Sequence, residues 1–185
     1  MILTGKNFGS GFRNAWCFMT YTTQAIVLKK IPAGEADAIV ILYTRDFGKV
    51  RARAQGVFKE HAKLKGHVEP ISLASVQFLL GTYGQRLIYS LMLEHFAETK
   101  RNFDAYSASR YMVELVDHHC LLEQKDERMW ELLLSNLLLV EKSSIPSLPE
   151  IVSSFEQEFL HSLGYGTSSD MRSLGIPLAR PYRVV

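Results

Sequence analysis

The chain has 185 residues, a hydrophobic content of 47% and a formal net charge of +2 at pH 7. A chain of this length and content can bury a substantial core, in one large domain or two small ones. Because no apolar run reaches about 18 residues and polar residues interrupt the N-terminal segment, we expect neither a transmembrane helix nor a signal peptide. The two cysteines, Cys17 and Cys120, match no disulfide framework or zinc pattern and suit a reducing compartment.

Strand-like segments separated by glycine-containing turns predict a β-rich first half of the chain. The predicted strands are Thr22–Lys30, Ala38–Thr44, Lys49–Gln55, Ser75–Leu80 and Arg86–Phe96. Arg45–Gly48 is the expected hairpin turn between the second and third strands. Five short strands with one longer excursion after the third favour a small barrel, of which the OB-fold is the typical case.

The hydrophobic period changes after Lys100 to that of helices. One predicted helical face carries Ala108, Met112, Leu115, His119 and Leu122. Asp126–Glu141 is rich in leucine and indicates a second helix. Ser147–Glu150 is a predicted capping box with proline in the first turn, and it opens a third helix that ends at Gly164.

The third predicted strand and the loop that follows it are strongly basic. Between positions 45 and 67, seven basic residues oppose two acidic ones, a surplus of five on a chain whose net charge is +2. The basic residues are Arg45, Lys49, Arg51, Arg53, Lys59, Lys63 and Lys65. A strand's period of two places Lys49, Arg51 and Arg53 on one face. Such a concentrated cationic patch favours a polyanionic partner, and nucleic acid is the first candidate.

Several short motifs, in this order, resemble the bacterial RecO family of recombination mediator proteins. The matching segments are Gly34–Asp37 (GEAD), Tyr43–Val50 (YTRDFGKV), Ala54–Val57 (AQGV), Lys63–Gly66 (KLKG), Glu69–Pro70 and Leu163–Tyr165 (LGY). They extend over most of the chain, and the ordered set is more specific than any single motif. The resemblance implies an α+β fold, an N-terminal OB-fold β-barrel followed by an α-helical bundle, which agrees with the elements predicted from periodicity.

The predicted elements, together with the resemblance, suggest a division of the chain into four parts. We expect a disordered N-terminal extension (1–19), an OB-fold nucleic-acid-binding domain (20–98), a helical domain (99–166) and a C-terminal tail (167–185). Met19 stands directly before the first strand and is the expected true start. Many family members carry a four-cysteine zinc site beyond the helices, and this chain is expected to be a short form that lacks it.

The resemblance also implies a function in DNA repair and recombination. Members of the family bind single- and double-stranded DNA and anneal complementary strands. With RecR, they displace single-strand-binding protein and let the RecA recombinase load. We therefore expect a cytoplasmic, nucleoid-associated protein that is not an enzyme and has no cofactor, no metal site and no membrane partner.

The seven basic residues between positions 45 and 67 are the candidate DNA contacts, because lysine and arginine neutralise phosphates and release counterions. Arg51 and Arg53 lie two residues apart on a strand, about 6.5–7 Å. Tyr43, Phe47 and Tyr83 are candidate stacking residues, and Phe58 is a further aromatic near them. A basic strand can also be a solvated face alone, and these aromatics can be core or turn residues.

We predict no catalytic role for the other polar groups of the chain. Glu35 and Asp37 are expected to set a turn or to pair with Arg45 or a nearby lysine. His118–Cys120 is a consecutive run whose side chains point about 100° apart on a helix, so it cannot converge on one metal ion. In the family, the helical domain binds the acidic tail of single-strand-binding protein. The basic residues that could receive its carboxylates here are Lys100, Arg101 and Arg110.

Two other classes of protein stay open. One is a protein-interaction module with little affinity for DNA, and the other is an OB-fold RNA-binding protein of the translation apparatus. Fluorescence anisotropy with labelled oligonucleotides separates the first from a DNA-binding protein. Competition between DNA and RNA of equal length separates the second.

Overall fold

A computed structural model describes residues 20–60, 64, 66–81 and 84–165. Its strands are β1 (Thr20–Pro32), β2 (Ala38–Thr44), β3 (Gly48–Ala54), β4 (Leu73–Gly81) and β5 (Gly84–Glu94). They close into a barrel in the order β1-β2-β3-β5-β4, in which the β3–β5 pair is parallel and the other pairs are antiparallel. This is the arrangement of an OB-fold, so the predicted barrel is confirmed. The predicted extension (1–19) and tail (167–185) lie outside the described residues.

Helices follow the barrel and confirm the predicted α+β class. They are α1 (Ala97–Arg101), α2 (Phe103–His119), α3 (Glu127–Lys142) and α4 (Leu148–Ser162), with a short 3₁₀ helix at Ile145–Ser147. The sequence did not predict α1, because five residues are too few to show a helical period. None of the helices in the described part of the chain is long and apolar enough to cross a membrane.

The prediction for the start of α4 is wrong, whereas the prediction for its end is confirmed. The capping box is wrong, because Ser147 ends the 3₁₀ turn and its hydroxyl donates to the Ser144 carbonyl at 2.7 Å instead of capping α4. The C-terminal prediction is confirmed. Gly164 has a φ of +86°, and the Tyr165 N–H donates to the Leu160 carbonyl at 2.9 Å, which closes a Schellman turn.

β2 is buried on both of its faces, and this explains how the barrel and the helices share a core. Ala38, Val40 and Leu42 point into the barrel, where they pack with residues from the other strands. Ile41 and Tyr43 point outward and pack in a second cluster with α2, α3 and α4. The helical region therefore covers the outer face of β2 and leaves part of the neighbouring strand β3 accessible.

The segment between α2 and α3 lies against the start of β3. Leu122 forms a parallel bridge with Lys49, and the Glu123 N–H donates to the Lys49 carbonyl at 2.8 Å. The backbones approach closely at Gly48, where a Cβ atom would lie 1.9 Å from the Gln124 carbonyl oxygen. The prediction that the first helix continues to Leu122 is therefore wrong. α2 ends at His119, and Leu122 pairs with β3 instead.

A substitution at Gly48 tests this close approach. Gly48→Ala introduces a Cβ at a φ of +66° and against the Gln124 backbone. Gly34→Ala is the matched control, because Gly34 has a φ of +86° but no atom within 4 Å of its Cβ position. We expect the control to lose about 1–2 kcal/mol of unfolding free energy from backbone strain and Gly48→Ala to lose clearly more. Equal losses in urea unfolding would contradict the close packing of the two segments.

Candidate nucleic-acid interface

The predicted alternation of β3 is present in the structure. Val50, Ala52 and Ala54 are buried inside the barrel, whereas Arg51 and Arg53 are exposed on the outside. Small and β-branched inner residues fill the barrel, and the strand's two-residue period then turns each arginine to solvent. Arg51 and Arg53 both pair with residues of β2, and Arg53 also pairs with β5, so the backbone that carries the two guanidinium groups is held in place.

Lys49 departs from the prediction that it joins the outer basic face. Its ammonium group lies 2.8 Å from Asp117 Oδ1 on α2 and also donates to the Asp117 carbonyl. The Lys49 and Asp117 side chains are only 14% and 17% exposed. Lys49 therefore joins the barrel to α2, and its charge is neutralised within the protein instead of being presented to a polyanion.

Arg53 is held by the carboxylate of Asp37. Its Nη2 and Nε donate to Asp37 Oδ2 at 2.8 and 3.0 Å, and the other oxygen accepts the Gly56 N–H at 2.7 Å. These contacts keep the pKa of Asp37 below its ordinary value, chiefly through the Gly56 N–H and then through Arg53. Asp37 pairs with Arg53 and not with the predicted Arg45, whereas the predicted nearby lysine acts on it through the charge of Lys59. The guanidinium retains three further donors for a ligand.

Arg86 is a cation of this surface that sequence reasoning missed. The parallel pairing of β3 with β5 places Arg86 directly opposite Arg53, and both side chains are exposed. Like charges directly opposite each other on neighbouring strands repel, and the Asp37 carboxylate that pairs with Arg53 offsets part of this repulsion. The predicted barrel could have pointed to Arg86, because closing an OB-type barrel brings the third and fifth strands together.

The remaining predicted cations occupy different places. Lys59 is exposed and close enough to Asp37 to lower the pKa of that carboxyl further. Arg45 is exposed in the β2–β3 turn, at the opposite end of β3. Lys63 and Lys65 lie outside the described residues. We define the cationic face as Arg51, Arg53, Lys59 and Arg86, of which only Arg53 forms an ion pair within the described part of the chain.

The aromatic candidates are mostly structural. Tyr43 was wrongly predicted to stack on bases, because it is 0% exposed beneath the helices, where burial raises the pKa of its hydroxyl. Phe47 is half-buried, and its ring centroid lies 5.2 Å from that of Tyr21 and 5.5 Å from that of Phe78. Phe58 is 41% exposed and lies under the Lys30 ammonium. Tyr83 lies outside the described residues.

Two basic residues of the helices, Arg101 and Arg110, are paired locally. Arg101 and Arg110 form exposed ion pairs with Glu98 and Glu114 at 2.5 and 2.8 Å. Lys100 is half-buried, and burial lowers its pKa. His119 packs edge-on against Phe159. No group of three or more possible metal ligands is found among the described residues.

Comparisons with protein families identify the class of this fold. Residues 19–88 match the family model for the N-terminal part of recombination protein O, and residues 100–172 match the model for its C-terminal part. The two matches follow each other in the order found for the barrel and the helices. The chain belongs to the recombination protein O (RecO) family, and the resemblance inferred from its motifs is confirmed.

Curated relatives give the same result over much of the chain. A DNA repair protein RecO of Syntrophus aciditrophicus (strain SB) is 31% identical over 82% of this chain and 58% of its own length. The protein of the same name from Gloeothece citriformis (strain PCC 7424) is 32% identical over 69% and 45%. That from Dehalococcoides mccartyi (strain CBDB1) is 31% identical over 78% and 56%. The chain thus spans about half the length of the curated relatives it matches.

The Asp37 contacts predict a dependence of stability on pH. Because the folded-state pKa of this carboxyl is lowered, its contribution is fully present above the ordinary value of 3.8 and is lost as the pH falls toward the folded pKa. We expect Asp37→Asn to be less stable than the parent near neutral pH, with the difference narrowing below pH 3.8. Urea unfolding of both proteins from neutral pH to below pH 3.8 measures this difference in unfolding free energy. A difference that does not change with pH would contradict a contribution from the ionised Asp37 carboxylate.

Proposed function

We propose that this chain is a non-catalytic DNA-binding recombination mediator that functions in DNA repair. It binds single- and double-stranded DNA, anneals complementary strands, and helps to load RecA onto DNA coated with single-strand-binding protein, together with RecR. Family membership and the name DNA repair protein RecO of the curated relatives support the general role. The cationic face supports DNA as the ligand. A cytoplasmic, nucleoid-associated location follows from this role.

The observation that carries the proposal is the placement of three arginines on two neighbouring strands. Arg51 and Arg53 lie about 6.6 Å apart along β3, and Arg53 and Arg86 are carried by strands about 4.8 Å apart. A polyanion relieves the repulsion between such neighbouring cations. Phosphates also accept hydrogen bonds from guanidinium groups in a bidentate geometry. The binding energy comes from the backbone of the nucleic acid, so it is independent of base sequence.

Annealing follows from the same electrostatics. Two complementary strands repel each other through their phosphates, and this repulsion opposes their first contact. A rigid surface that neutralises several phosphates reduces the repulsion and raises the local concentration of strands. Contacts to phosphates leave the pairing edges of the bases free, and bases beyond the protein surface stay available for the complementary strand. The residues proposed for this function are the cationic face together with Arg45, Lys63 and Lys65.

The helical region is proposed as the part that receives protein partners. The acidic tail of single-strand-binding protein would bind there, and the exposed basic residues Arg101 and Arg110 are candidates for its carboxylates. Each of these arginines would exchange a surface ion pair for a bond to the ligand, and surface pairs of this kind are worth only about 0–1 kcal/mol. RecR contacts are assigned to the same chain but to no particular residues.

Salt dependence tests the cationic face directly. If its four cations each neutralise one phosphate, the logarithm of affinity for a single strand falls with the logarithm of salt concentration with a slope of about −3. We expect Arg51→Ala/Arg53→Ala to weaken binding and to reduce the magnitude of this slope by about 1.4, since each single-strand phosphate contributes about 0.7. Anisotropy of labelled oligothymidylate over a salt series measures both quantities.

A second double variant controls for the loss of charge. Arg128→Ala/Lys142→Ala removes the same two charges from exposed positions on α3, outside the cationic face, and is expected to leave the slope unchanged. Equal effects of the two double variants would contradict a localised interface. Absence of measurable binding by the parent protein would favour the protein-interaction module instead.

A further inference from the structure

β5 carries a row of large apolar side chains on the outside of the barrel. Ile88, Tyr89, Leu91 and Leu93 are between 40% and 47% exposed. They do not belong to either hydrophobic cluster of the described residues, neither the barrel core nor the core shared with the helices. We refer to these four residues as the apolar row. Its position on a paired strand makes it a fixed surface feature.

A β-bulge explains why the row is nearly continuous. The β4–β5 register shifts between Gln77 and Phe78, so that Phe78 pairs with Leu87 and Gln77 pairs with Tyr89. Ile88 is the extra residue, and both it and Tyr89 become exposed. The row's neighbours on β4 are polar, because Gln77 and Ser75 pair with Tyr89 and Leu91. Amide and hydroxyl groups that can bond to the edges of bases thus flank the row.

The apolar row continues the cationic face. Because of the bulge at Ile88, Arg86 and Tyr89 pair with Leu79 and Gln77, which are two positions apart on β4, so they lie about 7 Å apart along the strand. Arg86 is also the residue that stands opposite Arg53 on β3. Between Arg86 and Leu93, β5 contains no acidic residue. A ligand that binds both features must therefore be anionic at one side and apolar or aromatic at the other.

We infer that the apolar row contacts the bases of single-stranded DNA whose phosphates bind to the cationic face. The inference rests on the proposed function and assigns a second contact to the same ligand. Tyr89 provides the ring for stacking on a base, and Leu91, about 6.6 Å further along the strand, packs against the next one. Gln77 and Ser75 are placed to bond to base edges without requiring a sequence.

This arrangement gives the protein a preference for single strands. In a duplex, the bases are stacked and paired inside the helix, and only the phosphates reach the cationic face. In a single strand, the bases are free to turn toward the apolar row. The cationic face thus serves both forms of DNA, whereas the apolar row adds affinity for one of them.

A protein partner or a second copy of the chain fits this row less well. Stable protein interfaces bury about 800 Å² on each partner, and four half-exposed side chains provide a smaller patch. The cations beside the row would have to be matched by acids of the partner. DNA supplies the anions and the aromatic surface in one molecule.

Paired measurements on a single strand and a duplex test the inference. Tyr89→Ser/Leu91→Ser is compared with the parent for binding of labelled oligothymidylate and of a duplex of equal length. We expect single-strand affinity to fall about tenfold and duplex affinity to change less than twofold. Tyr89→Phe retains the ring and is expected to bind both ligands like the parent. Circular dichroism and a thermal melt establish that each variant is folded.

The outcomes separate this inference from the proposed function. If the double serine variant binds both ligands like the parent, while Arg51→Ala/Arg53→Ala weakens both, the row is not a base contact and the cationic face stands. If the double serine variant loses affinity equally for the single strand and for the duplex, the base contact is also overturned. If sedimentation shows that the parent is a dimer and the serine variant a monomer, the row is a protein interface. A parent that binds neither ligand overturns both proposals.

Discussion

Closure of the barrel is the constraint on which the rest of this structure depends. β3 would otherwise expose one edge, and unpaired edges are sites of aggregation. The C-terminal half of that edge pairs with β5, and its N-terminal half is covered by Leu122 and Glu123 from the α2–α3 segment. The first pairing sets Arg86 beside Arg53. The second fixes the helical region against the barrel, so one strand edge determines both the cationic face and the position of the helices.

The helical region also decides which outward side chains of the barrel remain accessible. It covers apolar residues of β2 such as Ile41 and Tyr43, which extend a common core. The part of the barrel surface that the helices cover ends at Lys49, whose ammonium group forms an ion pair with Asp117. Beyond this point β3 carries only exposed arginines on its outer face. The proposed interface is therefore the part of the barrel that the helices do not cover, and its rigidity derives from a core that the barrel and the helices share.

Periodicity within one segment was sufficient to predict the five strands, the main helices and the inward and outward faces of β3. These features depend on residues that are close in sequence. Partners distant in sequence could not be predicted in this way. Lys49 and Asp117 are 68 positions apart, and Arg86 joins the cationic face only through barrel closure. Tyr43 was misassigned because a strand that is apolar on both faces gives no sign of which element covers it.

We propose that Arg51, Arg53 and Arg86 together form the phosphate-binding surface. A nuclear magnetic resonance titration of isotope-labelled protein with unlabelled oligothymidylate observes each arginine side chain separately. We expect the Nε–H signals of these three residues to shift together with the bound fraction, while those of Arg110 and Arg128 on the helices stay in place. Shifts confined to the helical arginines, with the three barrel arginines unchanged, would contradict it.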